Sequence, residues 1–328
     1  MKKILVLFII PLLLSCSAIK KPPIDSRYEF SIVYYDVENM KDTINNSGID
    51  DEAFTPHGEL AWNTTKYERK VTDIATVLDS INQAFPSTKG IFILREVENI
   101  EVARELMRKS AILHSNNQFQ PVYYPSGQNA NCVIFYNSRL FHTVKTNSFV
   151  IDNSNALLLS FKVYTPEDSL RVLIIEEDIK SSQQNIILED YPDLNLVLRY
   201  ISLKFNKNEK IVLAGRFNPA YSLQEVRTIE GHNYQNPLYW AATKGQGTIH
   251  QNGKWLLTDQ FWANQALSNA KKGIHLSYKS GKTYQAEFLL KENPKADAAI
   301  PFPTYGGPNY FGGISNHLPV IIELETSN

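Results

Sequence analysis

The segment Lys210–Pro219, KIVLAGRFNP, carries the pattern around which the rest of the chain can be interpreted. Ile211–Ala214 is a short continuous apolar run, which is typical of a strand buried on both faces of a sheet. Such a strand presents the residues that follow it at a cleft, and here those residues are Arg216, Phe217 and Asn218. The segment therefore predicts a buried strand whose end contributes to a site.

The clearest helix signal lies well before this strand. Apolar residues recur at intervals of three and four from Tyr67 to Phe85, so they form one stripe along a helix. Thr65 and Glu68 match a capping box at its start, and Pro86 marks its end.

Short strands and two more helices are predicted around these elements. One helix is expected to begin after Asn99, and another covers Leu194–Phe205. The predicted strands are Tyr28–Tyr35, Gly90–Leu94, Gln120–Tyr124, Cys132–Tyr136, Phe141–Val150, Ala156–Val163, Arg171–Ile175, Thr248–Gln260 and Pro319–Leu324.

Length and composition indicate one large layered domain. The chain has 328 residues, 43% of them hydrophobic and 20% charged, which is enough apolar material for a sizeable core. No stretch has the composition of a linker between domains, so residues 28–328 are interpreted as a single domain.

The first 27 residues have a separate character. Lys2 and Lys3 precede an apolar run, Ile4–Leu14, that is too short to span a bilayer and is typical of a secretory signal. Ser15-Cys16 then resembles a bacterial lipobox, in which the cysteine is lipidated after cleavage.

The prediction is a signal peptide over residues 1–15, a lipid anchor at Cys16 and a tether over residues 16–27. Such a protein would be exported and anchored in the bacterial cell envelope. The alternatives are an ordinary signal peptide or an uncleaved anchor.

Charge argues against a nucleic-acid partner. The formal net charge is −1, and removal of residues 1–15 with their two lysines would make it −3. A nucleic-acid binder usually shows a basic footprint, and the only locally basic stretch, Lys244–Lys282, is typical of a solvated surface.

Cys132 lies in an apolar run and is interpreted as a buried small hydrophobe.

Six segments in order resemble the endonuclease/exonuclease/phosphatase superfamily, which has the DNase-I-like fold, and its bacterial exported branch in particular. The segments are YDVEN (Tyr35–Asn39), DDEAFTPHGELAW (Asp50–Trp62), EVEN (Glu96–Asn99), GRFN (Gly215–Asn218), KGQGT with KWLLTDQ (Lys244–Gln260) and PTYGGPNYFGGISNHLPV (Pro303–Val320). The resemblance implies an α/β fold, a four-layer αββα sandwich with two mainly antiparallel sheets face to face and helices outside.

The resemblance also implies a Mg²⁺-dependent phosphoric-ester hydrolase site where strand ends converge. The expected metal ligands are Glu96, the principal one, and Glu38. The retained catalytic positions are Asn218, Asp259 and His317.

Four positions depart from the family pattern. Asp36 stands where the family has Asn, Arg216 where it has Asp, and Asn316 where it has Asp. The family's His falls on Glu176 by an ungapped count, with Glu177 as the alternative. One hypothesis is that Arg216 pairs with Glu96 and with Asp36 or Glu176, and so seals the metal site. The other is that Arg216 points to solvent over the cleft.

These substitutions predict a catalytically impaired or inactive homologue that acts as a binding module for an unknown ligand or protein partner. The alternative is an active Mg²⁺-dependent phosphodiesterase or phosphatase with a rearranged metal site. Its ligands would then be Asp36, Glu38, Glu96 and Glu176.

Overall fold

The computed structural model describes residues 28–46, 51–85, 89–115, 118–125, 131–151, 156–166, 168–177, 191–277, 279–293 and 298–327. The predicted signal peptide, the lipidation site Cys16 and the tether lie outside the described residues. Among the described residues, no helix is both long enough and apolar enough to cross a membrane.

The described residues form short strands and a few helices. The strands are β1 (Glu29–Met40), β2 (Ile91–Val97), β3 (Phe119–Tyr124), β4 (Cys132–Asn137), β5 (Thr143–Val150), β6 (Ala156–Tyr164), β7 (Ser169–Glu177), β8 (Ile211–Arg216), β9 (Val226–Ile229), β10 (His232–Gln235), β11 (Ile249–Gln251), β12 (Lys254–Leu256), β13 (Asp259–Asn264), β14 (Gly273–Leu276), β15 (Lys282–Thr283), β16 (Leu290–Asn293), β17 (Ala298–Pro301), β18 (Tyr305–Gly306), β19 (Asn309–Tyr310) and β20 (Val320–Ser327). The α-helices are α1 (Thr64–Ala84), α2 (Ile100–Lys109), α3 (Ala111–His114), α4 (Leu194–Lys204), α5 (Tyr239–Thr243) and α6 (Gln265–Ser268), and 3-10 turns cover Glu52–Phe54, Pro219–Leu223 and Glu287–Leu289.

Two seven-stranded sheets dominate the structure. The first has the order β14-β20-β1-β2-β4-β3, with β15 also paired to β20, and the second has the order β5-β6-β7-β8-β13-β10-β9. Each sheet contains one parallel pair, β1 with β2 and β7 with β8, and its other pairs are antiparallel. The carboxyl ends of these four strands carry Asp36, Glu96, Glu176 and Arg216, which the sequence singled out.

Three apolar clusters make the layers. One lies between the two sheets and joins, for example, Ile32 of β1 to Val172 of β7. A second packs the other face of the first sheet against α1 and α2, and a third packs the second sheet against α4. The predicted four-layer sandwich is therefore confirmed, and the predicted buried strand β8 is enclosed along its whole length.

Gly215 allows β8 to approach its parallel neighbour closely. A Cβ at this position would lie 2.1 Å from Cγ2 of Ile175 in β7, so any larger residue would require the Ile175 side chain to shift. The close approach keeps the ends of β7 and β8, with Glu176 and Arg216, at the same edge of the sheet.

The prediction of a single strand over Thr248–Gln260 is wrong. The segment forms the hairpin β11–β12 and then the start of β13. Asn252 and Gly253 have φ of 51° and 76°, the left-handed conformations that a two-residue hairpin turn requires. The Asn-Gly dipeptide was the signal for this turn.

The N-terminal cap of α1 also differs from the prediction. Asn63, and not Thr65, is the capping residue, because its Oδ1 accepts a hydrogen bond from the backbone N–H of Lys66 at 3.1 Å. The predicted cap of α2 is confirmed, since Asn99 Oδ1 accepts from Val102 N–H at 2.9 Å.

We expect Asn63→Ala to destabilise the protein by about 1 kcal/mol, because one backbone donor of the first helical turn loses its partner. Chemical denaturation would measure the difference. Thr65→Ala is the matched control, and a loss from Thr65→Ala as large as that from Asn63→Ala would contradict the assignment.

Candidate functional site

The sequence-predicted residues come together where the two sheets end. Asp36 lies on β1, Glu176 on β7 and Arg216 at the end of β8, while Asp259 begins β13. His317 lies three residues before β20. Four strands and the loop before β20 thus deliver charged or titratable side chains to one end of the sandwich.

The centre of this site is Arg95, the residue that ends the apolar part of β2. Its Nε donates to Glu176 Oε2 at 2.8 Å, and its Nη1 lies 3.0 Å from Asp36 Oδ2 and 3.4 Å from Glu96 Oε1. The side chains of Arg95, Asp36 and Glu176 are only 4%, 1% and 1% exposed. A guanidinium therefore sits among three carboxylates in a nearly dry environment.

Arg216 has a smaller part in this cluster than the sequence suggested. Its Nη1 lies 3.5 Å from Asp36 Oδ2, and among the described residues it makes no ion pair with Glu96 or Glu176. Of the contacts that the hypothesis gave to Arg216, the structure therefore contains the one with Asp36, and Arg95 makes the contacts with Glu96 and Glu176. The alternative of a solvent-pointing Arg216 is wrong, because its side chain is 10% exposed.

Glu96 is held in place from both sides. Its Oε2 accepts the backbone N–H of Asn39 at 2.9 Å, while Oε1 faces Arg95. Glu96, Glu38 and Asn39 have φ of 63°, 53° and 51°, a left-handed conformation that non-glycine residues seldom adopt. Such strain persists only where the surrounding contacts impose it, and it often marks functional sites.

Glu38, one of the predicted metal ligands, holds two backbone segments in this structure. Its Oε2 accepts the backbone N–H groups of Thr304 and Asn316 at 2.9 and 2.8 Å, so it fastens the loop before β20 to the end of β1. Burial raises the pKa of Glu38, and the positive charge of Lys70 and these hydrogen bonds oppose the rise. Lys70 donates to Thr304 Oγ1 at 2.6 Å and burial lowers its pKa to about 8.

The arrangement does not fit a divalent cation. Mg²⁺ needs free oxygen ligands and resists dehydration, whereas the carboxylates of Asp36, Glu96 and Glu176 already share a guanidinium. Within the described part of the chain, no group of three or more His, Cys, Asp or Glu side chains is arranged to hold a metal ion.

Asp36 and Glu176 differ in their proton affinity. Burial raises the pKa of Asp36, but the positive charges of His317, Arg95 and Arg216 outweigh it and bring the pKa to about 2. Burial raises the pKa of Glu176 to about 7, although Arg95 opposes the rise. Glu176 Oε1 has no hydrogen-bond partner, which is consistent with the larger desolvation of this carboxyl.

Asp259 and His317 form a buried pair. His317 Nδ1 and Asp259 Oδ2 are 2.7 Å apart, and both side chains are nearly inaccessible. Although burial lowers the pKa of the imidazole, Asp259 and Asp36 outweigh it and raise that pKa. Burial raises the pKa of Asp259, but His317 more than offsets this and lowers it. Each partner therefore favours the charged form of the other.

The remaining predicted residues lie at the rim. Asn218 Oδ1 accepts the backbone N–H of Ala220 at 2.9 Å and caps the turn after β8. Asn316 is exposed, and its backbone is held by Glu38.

Glu98 is a second buried carboxyl next to the site. Its Oε2 accepts from Asp42 N–H at 2.8 Å, whereas its Oε1 has no partner. Burial, with a contribution from the negative charge of Asp42, raises the pKa of Glu98 to about 7. The hydrogen bond from Asp42 N–H and the positive charge of Lys41 lower that pKa and offset part of the rise.

We expect Glu98→Gln to stabilise the protein at high pH only. The unfolded chain releases this proton near its ordinary pKa of 4.5, while the folded protein keeps it up to about pH 7. The folded state therefore binds more protons in this interval, and wild-type stability falls as the pH rises through it. Glu98→Gln removes this fall, so we expect a gain of about 1–2 kcal/mol near pH 8 and little change near pH 4.

Urea denaturation at both pH values would measure the difference in the free energy of unfolding. Glu101→Gln, at an exposed glutamate, is the control. Equal effects of Glu98→Gln at the two pH values would contradict the prediction.

Arg95 was the functional residue that the sequence analysis missed. The signal was a charged residue at the end of the otherwise apolar strand IFILREV, directly before Glu96. Buried charged residues are rare unless they are paired, so this position called for a carboxylate partner.

The fold and its strand-end carboxylates define a DNase-I-like sandwich. The chain is similar to a humanized D. rerio TDP2 with 14 mutations, at 11% identity and a TM-score of 0.54, covering 91% of this chain and 99% of that one. D. rerio TDP2 complexed with single strand DNA product gives 11% identity, a TM-score of 0.51 and coverage of 91% and 99%. An endonuclease/exonuclease/phosphatase family protein from Bacteroides thetaiotaomicron is 14% identical, with a TM-score of 0.49. The match covers 92% of this chain and 100% of that one.

At these identities the similar structures show the fold alone. A comparison with curated proteins gave no match. The family model described as endonuclease/exonuclease/phosphatase family matches residues 31–172 and 199–326, which is most of the chain. The chain therefore belongs to the endonuclease/exonuclease/phosphatase family.

Proposed function

We propose that this chain is a non-catalytic member of its family, exported and lipid-anchored through Cys16, that binds a partner at the rim of its former active site. The partner is a protein or a small anionic ligand, and the net charge of −1 disfavours nucleic acid. No bound metal is needed for this function.

The observation that carries the proposal is the position of the Arg95 guanidinium among Asp36, Glu96 and Glu176. A divalent ion brought close to it would meet a like charge, and two unit charges about 4 Å apart repel by about 4 kcal/mol at an effective dielectric constant near 20. The ion would also have to displace hydrogen-bonded carboxylates that Arg95 already neutralises. Arg216, which stands where the family has an Asp, adds a second positive charge at 3.5 Å from Asp36.

A second candidate function is metal-dependent hydrolysis of a phosphoric ester. The Asp259–His317 pair favours it, because its 2.7 Å contact keeps the imidazole oriented by a carboxylate that favours the protonated ring. A protonated imidazole can stabilise a phosphate oxygen or protonate a leaving group. This pair alone supplies neither a metal ligand set nor a base to orient water, so we rank it second.

Hydrolysis of bis-p-nitrophenyl phosphate with Mg²⁺ or Mn²⁺, compared with chelator, tests the proposal. We expect no chelator-sensitive turnover above the buffer rate. Glu96→Gln is the control that separates trace contamination from real activity. Chelator-sensitive turnover by the wild type that Glu96→Gln abolishes would establish the second candidate instead.

The anchor is tested separately by fractionation of cells that express the full chain. We expect Cys16→Ala to move the protein from the membrane fraction to the soluble fraction, and Ser17→Ala to leave it in place. Membrane retention of Cys16→Ala would contradict a lipid anchor at this cysteine.

A further inference from the structure

We propose that a polar cavity at the end of the sandwich opposite the candidate site binds the phosphate-bearing headgroup of an anionic membrane lipid. The cavity has a volume of about 430 Å³ and lies between the start of β8, the β9–β10 turn and the end of β13. Strand β13 runs from Asp259 in the candidate site to Asn264 in the cavity wall, and its six residues place the two about 17 Å apart. The choice of a lipid as the source of the phosphate rests on the anchor in the proposed function.

The wall of the cavity offers hydrogen-bond donors to an anion. Four of its side chains can donate, namely those of Lys207, Asn208, His232 and Gln265. In the described part of the chain, none of these four side chains makes a hydrogen bond or an ion pair. None of the described residues that line the cavity is acidic. Ammonium, amide and imidazole groups all donate to phosphate oxygens, so the wall favours an anion with several acceptor atoms.

Asn264 fixes the buried side of the cavity. Its Oδ1 accepts the backbone N–H groups of Ile211 and Leu267 at 3.0 and 3.1 Å. Its Nδ2 donates to the backbone carbonyl of Glu209 at 2.7 Å. These bonds join the start of β8 to the end of β13, so the donor side chains are placed around a wall that already has its shape.

The acids next to the lining residues in sequence are already neutralised. Glu209 Oε1 lies 2.9 Å from Arg171 Nη2 and also pairs with Lys162. Glu230 Oε1 lies 3.1 Å from Arg199 Nε. Neither glutamate therefore adds an uncompensated negative charge beside the cavity, and the charge of Lys207 in the wall stays available to a ligand.

The first described residue, Tyr28, lies at the same end of the sandwich as the cavity. Its backbone N–H donates to Thr326 Oγ1 at 3.1 Å, and Thr326 is the register partner of Ile274 in the pair β14–β20. Asp168 Oδ2 accepts from Ile274 N–H at 2.7 Å and from Lys210 Nζ at 2.6 Å. Because Lys210 directly precedes β8, the chain enters the described domain beside the start of this strand.

An anchor at Cys16 would hold this end of the sandwich next to the membrane, because the predicted tether can span at most about 40 Å. Two exposed lysines lie at the same end. The backbone carbonyl of Lys272 accepts from Lys210 Nζ at 2.8 Å, and that of Lys271 accepts from Ser327 Oγ at 3.1 Å. Among the described residues, neither of the two has an ion-pair partner. Lysines beside a membrane attract anionic lipids, so we assign the anion in the cavity to a lipid headgroup.

Calorimetric titration of the full chain in a neutral detergent tests the proposal. The titrant is phosphatidylglycerol in micelles of the same detergent, and phosphatidylcholine, which has no net charge, is its counterpart. We expect saturable binding of phosphatidylglycerol only. Lys207→Gln should weaken that binding about fivefold, which is the effect of one lysine beside an anionic lipid. Gln265→Glu keeps the size of the side chain but adds a like charge, and should weaken binding at least about tenfold.

Two variants outside the cavity match these changes in charge. Lys254→Gln removes a lysine from β12, just before the strand that begins at Asp259, and Gln285→Glu adds a charge before the 3-10 turn Glu287–Leu289. Both residues are exposed, as are Lys207 and Gln265, so all four variants should keep the wild-type denaturation curve. We expect both controls to bind like the wild type. No saturable binding by the wild type, or equal losses from Lys207→Gln and Lys254→Gln, would overturn the proposal.

Glycerol phosphate and inorganic phosphate, titrated in place of the lipid, separate a lipid from a soluble ligand. We expect both to bind at least about tenfold more weakly, because neither is held at a surface that Lys271 and Lys272 also attract. Lys271→Gln combined with Lys272→Gln should weaken binding of the lipid and leave that of glycerol phosphate unchanged. Equal affinity for glycerol phosphate and for phosphatidylglycerol would assign a soluble phosphate ester to the cavity and overturn the lipid.

This proposal and the proposed function can fail separately. Chelator-sensitive hydrolysis would refute the non-catalytic function, and membrane retention of Cys16→Ala would refute the anchor, but neither changes the titration of the cavity. A wild type that is inert and anchored, and yet does not distinguish phosphatidylglycerol from phosphatidylcholine, would refute only the headgroup site.

Discussion

Replacing Arg95 with methionine is expected to destabilise the protein by about 3–5 kcal/mol, because it leaves buried carboxylates without their counter-charge. Asp36 and Glu176 are each 1% exposed, so water cannot replace the lost partner. Methionine keeps much of the side-chain length, and the loss therefore reports the charge and the hydrogen bonds more than the packing. Equilibrium denaturation in the presence of chelator measures it.

Arg104→Met is the matched control for this experiment. Arg104 also pairs with a glutamate, Glu101, but the two side chains are 54% and 69% exposed. An exposed pair of this kind contributes about 0–1 kcal/mol. Similar losses from Arg95→Met and Arg104→Met would show that the carboxylates around Arg95 are solvated and that the closed network does not exist.

The Asp259–His317 pair provides the second large effect. Asp259→Ala should cost about 3 kcal/mol near pH 6, because an imidazolium is left buried beside Arg216 and Asp36 without its partner. Asp259→Asn keeps an oxygen that accepts from His317 Nδ1–H and should cost less. NMR titration should show a lower pKa for His317 in both variants.

The pH dependence of this effect follows from the two pKa shifts. The pKa of His317 is raised above 6.5 in the folded protein. Its contribution to the free energy of unfolding is therefore complete below pH 6.5 and is lost as the pH rises through the folded-state pKa. The pKa of Asp259 is lowered below 3.8, so its contribution is present above that value and is lost as the pH falls through the folded-state pKa. The difference between wild type and Asp259→Ala should therefore be largest between these limits. A constant difference from acid to alkaline pH would contradict a charged pair.

Much of the fold could be predicted from local patterns. The stripe of α1, the cap of α2 and the apolar run of β8 each lie within a few residues of their predicted places, since hydrophobic periodicity and capping act over short distances. Six short segments in order then indicated the family and its sandwich. The hairpin β11–β12 was missed although Asn252-Gly253 signalled it locally.

The partners of the charged residues could not be predicted in the same way. The sequence analysis singled out Arg216 because it departs from the family pattern, and it did not single out Arg95. In the structure, Arg95 is the register partner of Asp36 in the parallel pair β1–β2, whereas Arg216 is the register partner of Asp259 in β8–β13. Register partners project from the same face of a sheet, so this pairing put Arg95 beside Asp36.

Residue type and order were thus sufficient for the main elements, for the family and for the side chains other than Arg95 that meet at the end of the sandwich. Only the tertiary structure showed that Arg95, and not Arg216, is the central cation of the cluster. It also showed that Glu38 accepts hydrogen bonds from the loop before β20. The physical reason is that ion pairs between residues distant in sequence depend on strand register and on the facing of two sheets. Neither is encoded in the local pattern around any one residue.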